Sequence, residues 1–327
     1  MVNIATVGTS DITRQFIKEG RKNKAFHLCA IHSRNESNAV AFAEEFGAQK
    51  YYTSLKLMAE DDSIDAVYIA SPNSFHASQA KLFMDNGKHV LCEKPICSNY
   101  TELAQLLACA EDNEVLLMEA FKTFCFPNYQ ELKSLVLQAG QIRSVYFDFA
   151  RYSSRYDAHK RGEDVNTFKA EFSNGAVMDM GVYSIYPILD MFGAPLQIKA
   201  MGTMIPDGVD GEGTVLMKYD GFTACAHFSK VADSLAYSRI EGEDATILID
   251  SIYAPTQIKV VYRDKSSKIH DFDKKGNKMR YEIDEFIACL ENGAKQSLKN
   301  SHKVSVLGMQ VIDEIRHQLG VVYPADE

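Results

Sequence analysis

The 327-residue chain is 46% hydrophobic and 24% charged, which is ordinary for a globular protein and long enough for two domains. Its 35 basic and 44 acidic residues leave a net charge of −9, which argues against a protein that binds nucleic-acid phosphates. No apolar run reaches the roughly 18 residues that span a bilayer, and the N-terminal MVNIATVG is typical of a strand, so we expect neither a membrane anchor nor a signal peptide.

The cysteines and histidines indicate no disulfide or metal framework. Seven cysteines are present, an odd number, and no two of them form a C-x-x-C pair. The nine histidines are scattered and form no metal-binding motif. We therefore expect a cytoplasmic protein with reduced thiols and no metal site.

Residues 1–120 alternate short apolar runs with helical segments. The predicted strands cover residues 2–7, 25–32, 65–70, 88–92 and 114–118, with a short strand near Tyr51. The predicted helices cover residues 11–19, 36–46, 75–85 and 100–111, with one further turn before residue 65. Nearly continuous apolar strands that alternate with helices indicate an α/β fold with a doubly wound parallel sheet, covered on both faces.

The second half of the chain has a different pattern. In the segment 222–228 the apolar residues recur at every second position, which is typical of an antiparallel sheet with two different faces. Predicted strands cover residues 142–150, 211–220, 222–230, 245–250 and 256–263, and predicted helices cover 127–138, 177–192, 281–290 and 302–319. With a boundary near residues 119–126, we predict a first domain over 1–121 and a second, α+β domain with a large, mostly antiparallel open sheet over 122–327.

Ligands of doubly wound sheets bind beyond the carboxyl ends of the strands, so the segments that follow each strand form one group. These segments are 8–13, 33–34, 71–73, 93–95 and Glu119. Five loops at one edge of a sheet are a more specific signal than any single motif.

The first of these loops, GTSDIT, keeps one glycine of a dinucleotide-binding G-x-G-x-x-G fingerprint. Gly8 permits the tight turn, Ser10 is small enough for a backbone to approach a pyrophosphate, and Ser10 or Asp11 can cap the helix. One glycine after a strand is also common in any strand-to-helix turn, so this motif alone is a weak signal. The binding candidates here are Gly8, Thr9, Ser10, Asp11 and Ile12.

The end of the second strand indicates which nucleotide would bind. A site for NAD usually has Asp or Glu there to hold the ribose 2′-hydroxyl, whereas this chain has His32, Ser33 and Arg34. A guanidinium beside a hydroxyl suits a 2′-phosphate. The alternative is a solvated loop arginine. We predict that NADP(H) is preferred over NAD(H).

Two further elements carry possible proton chemistry. Lys94 follows the fifth strand between Glu93 and Pro95, in a turn that a cis peptide bond would fix. Asp179 and Tyr183 are four residues apart on the predicted helix 177–192, and Tyr186 and Asp190 continue the same stripe.

An ammonium near a phenol stabilises the phenolate, so Lys94 could allow Tyr183 to transfer protons, with Asp179 orienting the pair. The alternative is a polar stripe that covers a domain seam.

Four segments together resemble the Gfo/Idh/MocA oxidoreductases: SPNSFHASQA at 71–80, GKHVLCEKP at 87–95, LMEAF at 117–121 and GAVMDMGVYSI at 175–185. The resemblance covers nearly the whole chain. It implies a Rossmann domain followed by a C-terminal domain whose open sheet builds homodimers or homotetramers. Tyrosine at position 183, where many members have histidine, resembles the dihydrodiol dehydrogenase and glucose–fructose oxidoreductase branch, whose members use NADP.

The resemblance also implies roles for single residues. Lys94 matches the family lysine, Asp179 the family aspartate and Tyr183 the acid/base. The cofactor-binding residues that it adds to Ser33 and Arg34 are Ser71, Pro72, Asn73, His76, Glu93 and Lys94. After LMEAF the chain departs from the family's usual aromatic–arginine pair, so Lys122 is a candidate substrate anchor. Further candidates for the pocket are Arg151, Arg155 and Tyr156.

These observations predict an oxidoreductase that transfers a hydride between NADP(H) and a secondary alcohol or carbonyl of a sugar, cyclitol or vicinal diol. Tyr183 would transfer the hydroxyl proton; in a variant of this mechanism Lys94 does so and Tyr183 only binds. A non-catalytic NAD(P)-binding regulator on the same fold is the alternative. A 2-hydroxy-acid dehydrogenase fits poorly, because the second strand lacks an acidic end.

Overall fold

The computed structural model describes residues 1–272 and 279–327, which divide into two compact units. The first unit contains a six-stranded sheet, all of whose pairs are parallel, in the order β3-β2-β1-β4-β5-β6. Its strands are β1 (Val2–Val7), β2 (Phe26–His32), β3 (Lys50–Tyr52), β4 (Ala66–Ile69), β5 (His89–Glu93) and β6 (Leu117–Ala120). The prediction of a doubly wound parallel sheet is confirmed.

Helices connect these strands, and local sequence signals set their ends. They are α1 (Asp11–Gly20), α2 (Glu36–Phe46), α3 (Leu55–Ala59), α4 (His76–Asp85), α5 (Tyr100–Asp112) and α6 (Lys122–Cys125). Asn35 begins α2 because its side chain accepts a hydrogen bond from the N–H of Asn38 at 3.0 Å. Gly47 ends the same helix in the left-handed conformation.

The second unit is built on an eight-stranded sheet in the order β14-β13-β12-β11-β7-β10-β9-β8. The strands are β7 (Ile142–Ala150), β8 (Gln197–Met204), β9 (Asp210–Lys218), β10 (Thr223–Ser229), β11 (Ser238–Gly242), β12 (Ala245–Ile249), β13 (Gln257–Tyr262) and β14 (Ser267–Asp271). The pair of β7 and β10 is parallel and the other pairs are antiparallel, so the predicted mostly antiparallel sheet is confirmed.

The sequence did not predict β8, β11 and β14. β8 and β14 are the two edge strands, and most of their residues are exposed, so they lack a buried face that alternation would reveal. β11 has only five residues.

The helices of the later chain are α7 (Pro127–Val136), α8 (Tyr156–Lys160), α9 (Val182–Phe192), α10 (Arg280–Glu291) and α11 (His302–Leu319). The predicted single helix over 177–192 is wrong in one respect, because Val177–Gly181 forms a π-helix before α9 begins. Val177, where the π-helix begins, donates its N–H to the side chain of Asp210. Pro187, inside α9, has no N–H to donate to the carbonyl of Tyr183.

The predicted extent of the second domain, 122–327, is also corrected. The first unit contains residues 1–125 and, of the later chain, the described residues 279–302, which include α10. Ile283, Phe286 and Ile287 of α10 are buried in one core cluster with Phe16 and Ile17 of α1. A linear sequence does not show that the chain returns to its first domain.

Two further findings concern the whole described chain. All seven cysteines are free thiols, and six of them are buried. Among the helices in the described ranges, none combines the length and the apolar character needed to cross a bilayer.

Candidate active site

A cleft of about 720 Å³ opens at the carboxyl edge of the first sheet, where β1 and β4 lie side by side and the strand order reverses. Residues that follow β1, β2 and β4 line it. The predicted site residues among them are Gly8, Thr9, Ser10, Ser33, Arg34, Ser71 and Pro72. Three of the five predicted loops therefore meet at one cavity.

Gly8 is the one position of this cleft where only glycine fits. Its φ is +105°, and a Cβ atom built on it would lie 2.7 Å from the carbonyl oxygen of Ala70. Because that oxygen belongs to the backbone, it cannot rotate away as a side chain would. The first glycine of the degenerate fingerprint thus has a physical requirement behind it.

The side-chain cap predicted for the N-terminus of α1 does not form. Ser10 occupies the N-cap position, but its side chain makes no capping bond; its hydroxyl lies 3.4 Å from the Oγ1 of Thr13. Asp11, the first residue of the helix, is exposed, and Ile12 packs against the core cluster of the first unit. A helix start without a side-chain cap keeps backbone donors for an anionic ligand.

Arg34 stands exposed on the rim of the cleft. Its guanidinium carbon lies 6.0 Å from the ring centre of Phe75, and within the described chain no carboxylate pairs with it. Burial and the charge of Arg34 lower the pKa of the neighbouring His32, which keeps that imidazole neutral. Among the residues that line the cleft, Arg34 is therefore the cation that can meet an anionic group.

The loops after β4 and β5 are tied together by His76. This side chain is 1% exposed, and its Nδ1 and Nε2 atoms lie 2.8 Å from the carbonyl oxygens of Pro95 and Ser71. Burial lowers the pKa of His76, and a neutral imidazole has one N–H, so His76 donates to one of these two carbonyl oxygens and lies in close contact with the other. His76 can thereby hold these two loops in place. The direct contact between His76 and a cofactor stays a prediction, because both ring nitrogens already lie against carbonyl oxygens of the protein.

The E-K-P segment lies where the sequence predicts, at the end of β5, and the Lys94–Pro95 bond is cis. Glu93 accepts a hydrogen bond of 2.5 Å from the hydroxyl of Tyr68. Burial, and then the charge of Glu93, raise the pKa of Tyr68 well above its ordinary value, so this phenol stays protonated. The predicted cofactor-binding residues that do not line the 720 Å³ cleft are Asp11, Ile12, Asn73, His76, Glu93 and Lys94.

Glu119 is not at the sheet edge as predicted. It lies inside β6, is 3% exposed, and its Oε1 accepts the N–H of Ile96 at 3.2 Å. Its carbonyl oxygen accepts from the side-chain amide of Asn300. The carboxylate of Glu119 thus stabilises the turn after β5.

In the second unit, Asp179 lies in the π-helix and Tyr183 in the first turn of α9. A π-helix often marks a functional site. The Oδ2 of Asp179 lies 3.1 Å from the Nζ of Lys230, and a third of its side chain (32%) is exposed. Tyr183 is 6% exposed, and its ring packs edge-on against Phe149 and Tyr253, with centroids 5.0 and 4.7 Å away.

The rest of the predicted polar stripe is structural. The hydroxyl of Tyr186 lies 3.6 Å from the Sδ of Met309, and Tyr186 is 1% exposed. Asp190 accepts a hydrogen bond of 2.7 Å from the hydroxyl of Tyr129 and pairs with Lys133 at 2.9 Å. Asp179 is the more accessible carboxylate of the stripe, with 32% of its side chain exposed against 12% for Asp190.

The candidate pocket residues differ in their surroundings. Arg151 and Arg155 are exposed, and the ring of Tyr156 contacts those of His159 and Phe168, with centroids 5.9 and 5.5 Å away. Lys122 begins α6 in the first unit, where its charge acts on the buried carboxyl of Glu282.

Sequence reasoning missed Lys230 and Asp210, both 0% exposed. Lys230 had a signal, because it continues the period-two series of apolar residues in β10 that includes Ala226 and Phe228. A lysine in the buried phase of a strand needs a partner inside the protein. Asp210 had none, since its role depends on a strand placed beside the π-helix by the fold.

Two family models match this chain. The oxidoreductase family model with an NAD-binding Rossmann fold matches residues 2–121, and the GFO/IDH/MocA C-terminal domain model matches residues 129–248. The scyllo-inositol 2-dehydrogenase (NADP(+)) IolU of Bacillus subtilis is 42% identical over 327 residues, with complete coverage of both chains. The trans-1,2-dihydrobenzene-1,2-diol dehydrogenase of Danio rerio is 32% identical and covers 91% of this chain and 90% of its own.

Solved structures share the fold at lower identity. A 3-ketoreductase from Actinomadura kijaniata, KijD10, in complex with TDP-benzene and NADP, superposes with a TM-score of 0.83 at 22% identity, covering 97% of this chain and 98% of its own. An aldose–aldose oxidoreductase from Caulobacter crescentus complexed with glycerol gives a TM-score of 0.84 at 18% identity, covering 97% of each chain.

Proposed function

Because the chain belongs to the GFO/IDH/MocA family of oxidoreductases, we propose that it is an NADP-dependent dehydrogenase acting on a secondary alcohol, or reductase of the matching carbonyl, of a cyclitol, sugar or vicinal diol. The relative that is 42% identical along the whole chain carries both halves of this proposal in its name, the NADP cofactor and the cyclitol. The relative of 32% identity adds the vicinal diol.

The observation that supports the cofactor choice is Arg34. A 2′-phosphate is the group that distinguishes NADP from NAD, and an exposed guanidinium at the end of β2 suits it. Gly8 leaves room for a backbone approach, and the N-terminus of α1 offers backbone donors. These residues fit the cofactor: Arg34 and Ser33 would hold the 2′-phosphate, and Gly8 to Ser10 would hold the pyrophosphate.

We assign the proton chemistry to Lys94, Asp179 and Tyr183, because these residues match the motifs to which the family resemblance gives catalytic roles. NADP, when bound, accepts or donates the hydride at its nicotinamide. Tyr183 would take the proton of the substrate hydroxyl or return it to a carbonyl oxygen, and the Lys94 ammonium would stabilise the phenolate and the developing oxyanion. Asp179, a carboxylate paired with Lys230, would orient the reacting hydroxyl.

The assembly and location belong to the same proposal. Met201 and Leu216, 81% and 50% exposed, lie on β8 and β9 of the second sheet, and we propose that a homodimer or homotetramer covers this face. Light scattering on the purified protein would give the mass of the assembly. A monomeric mass at micromolar concentration would contradict the proposed homo-oligomer. The reduced thiols support a cytoplasmic location.

The function is tested by the rate of NADPH formation from NADP⁺ with scyllo-inositol and a panel of cyclitols, aldoses and vicinal diols. Tyr183→Phe should lower kcat by about 100-fold or more, the usual range for a lost general acid–base. Tyr237→Phe, which changes a tyrosine that is 53% exposed in the same unit, is the matched control.

Two outcomes would change the proposal. Near-normal kcat in Tyr183→Phe together with loss in Lys94→Met would move the proton transfer to Lys94. A wild-type protein that binds NADP⁺ yet turns over no substrate of the panel would instead support the non-catalytic regulator.

A further inference from the structure

Lys230 is a fully buried lysine that the family motifs do not include. It follows Ser229, the last residue of β10, and is 0% exposed. A lysine can place its ammonium in water through its flexible stem, so complete burial at the end of a strand needs a reason. Burying an ammonium is costly unless the protein supplies partners for the charge.

Three partners surround this ammonium. Its Nζ lies 3.1 Å from Oδ2 of Asp179 and 3.0 Å from the carbonyl oxygen of Thr167, to which it donates a hydrogen bond. The ring centre of Phe168 lies 4.9 Å from Nζ, within the range of a cation–π contact. Lys230 thus joins the π-helix that carries Asp179 to the short helical turn over Asn166–Phe168.

A second carboxylate, that of Asp210, binds the backbone of the same π-helix. Asp210, at the start of β9, is 0% exposed, and its Oδ2 accepts the N–H of Val177 at 2.7 Å, where the π-helix begins. Gly175 leaves space for this carboxylate, since a Cβ there would lie 2.2 Å from Oδ1 of Asp210. The charge of Lys230 is favourable to Asp210 as well as to Asp179.

The two carboxylates differ in access. Asp210 is sealed in the protein, whereas 32% of the Asp179 side chain is exposed, so Asp179 is the member of the group that a substrate could reach. A charge-assisted bond to one oxygen of a carboxylate limits its rotation and keeps its other oxygen in a fixed direction.

We propose that Lys230 is a positioning residue, which holds Asp179 as an oriented carboxylate toward the substrate and ties the Thr167–Phe168 turn to it. This inference rests on the proposed role of Asp179. The ring of Phe168 also contacts Tyr156, so the same lysine connects Asp179 with a candidate wall of the substrate pocket.

The test is a double-mutant cycle measured as kcat and KM. Lys230→Met keeps the length of the side chain and removes its charge, and Asp179→Asn keeps the shape of the partner. Lys230→Met alone should lower kcat at least 10-fold. The KM for NADP⁺ should change less than two-fold, because the proposed cofactor-binding residues belong to the first unit and Lys230 to the second. In the Asp179→Asn background the same change should cost less than two-fold in kcat.

The control is Lys268→Met, an exposed lysine of β14 in the same unit, which should leave kcat unchanged. If Lys230→Met alone does not fold, the comparison of the double variant with Asp179→Asn still applies, because the double variant has no carboxylate at position 179 that has lost its cation. A loss of kcat above two-fold in that comparison would contradict the positioning role.

Each contrary result has a distinct meaning. Full kcat in Lys230→Met, or an equal loss in both backgrounds, would overturn the positioning role while leaving the proposed function intact. Wild-type kcat in Asp179→Asn would overturn the role of Asp179 and the inference with it.

Discussion

At the scale of single residues, we predict that the carboxyl of Glu282 makes the stability of the first unit depend on pH. The side chain is 1% exposed, and neither of its oxygens has a hydrogen-bond partner within the described residues. Burial, and then the charge of Glu93, raise the pKa of this carboxyl well above its ordinary 4.5, against the opposing charge of Lys122.

The sign of the pH effect follows from that direction. The folded protein holds a proton on Glu282 that the unfolded chain releases above about pH 4.5, so stability falls as the pH rises toward the folded pKa. The Glu282→Gln variant has no titrating carboxyl at this position, so its stability should not fall in this way as the pH rises. Between pH 5 and 8 the free energy of unfolding of the wild type should decline relative to that of the variant, with a limiting slope of about 1.4 kcal/mol per pH unit.

The measurement is urea unfolding across that pH range, with Glu291→Gln as the control because Glu291 is exposed at the end of the same helix, α10. Parallel pH profiles for the wild type and Glu282→Gln would show that Glu282 is not the group responsible.

Residues also show what sequence can and cannot predict. Gly8, Arg34, Lys94 and Tyr183 stand in local motifs whose chemistry is visible from neighbours along the chain. Lys230 depends on a partner 51 residues earlier in the sequence, and only the folded structure shows which one it meets. Glu282 looks like any charged residue of an amphipathic helix until its neighbours are known.

At the scale of elements, α10 is the part of the molecule whose place the sequence least reveals. Its periodicity predicts a helix over 281–290, close to the observed Arg280–Glu291, but not the unit that it joins. It packs on α1, and its Phe286, which is 1% exposed, lies in the core cluster of the first unit.

Phe286→Ala should destabilise the first unit by about 3–5 kcal/mol, the usual cost of removing a buried aromatic ring. The thermal transition that NADP⁺ raises should be the one that this variant lowers, since α10 belongs to the unit that contains the cleft. Tyr281→Ala, on the exposed side of the same helix at 43% exposure, should cost about 1 kcal/mol or less. Equal losses from both variants would contradict this packing of α10.

Edge strands and the π-helix mark the other limits at this scale. β8 was missed because an exposed edge strand has no buried face. The π-helix Val177–Gly181 was predicted as the first part of an α-helix. Central strands such as β4, with four buried residues of four, were found because burial on both faces selects apolar side chains.

At the scale of the whole molecule, the sequence predicted the order of the domains and the position of the first boundary. The family models place that boundary between residues 121 and 129, and the two units separate after residue 125. The return of the chain to the first unit was not predicted, because contact between distant segments leaves no periodic signal in either of them.

The most direct test of the account is the melting temperature of the protein with NADP(H), with NAD(H) and without ligand, for the wild type and Arg34→Asp. A ligand at 100 times its Kd adds about 2.7 kcal/mol of stability, which a melting curve resolves. We expect NADP(H) to raise the melting temperature of the wild type well above the value with NAD(H), and Arg34→Asp to remove that difference. Equal shifts with both cofactors in the wild type, or an unchanged preference in Arg34→Asp, would contradict the assignment of Arg34 to the 2′-phosphate.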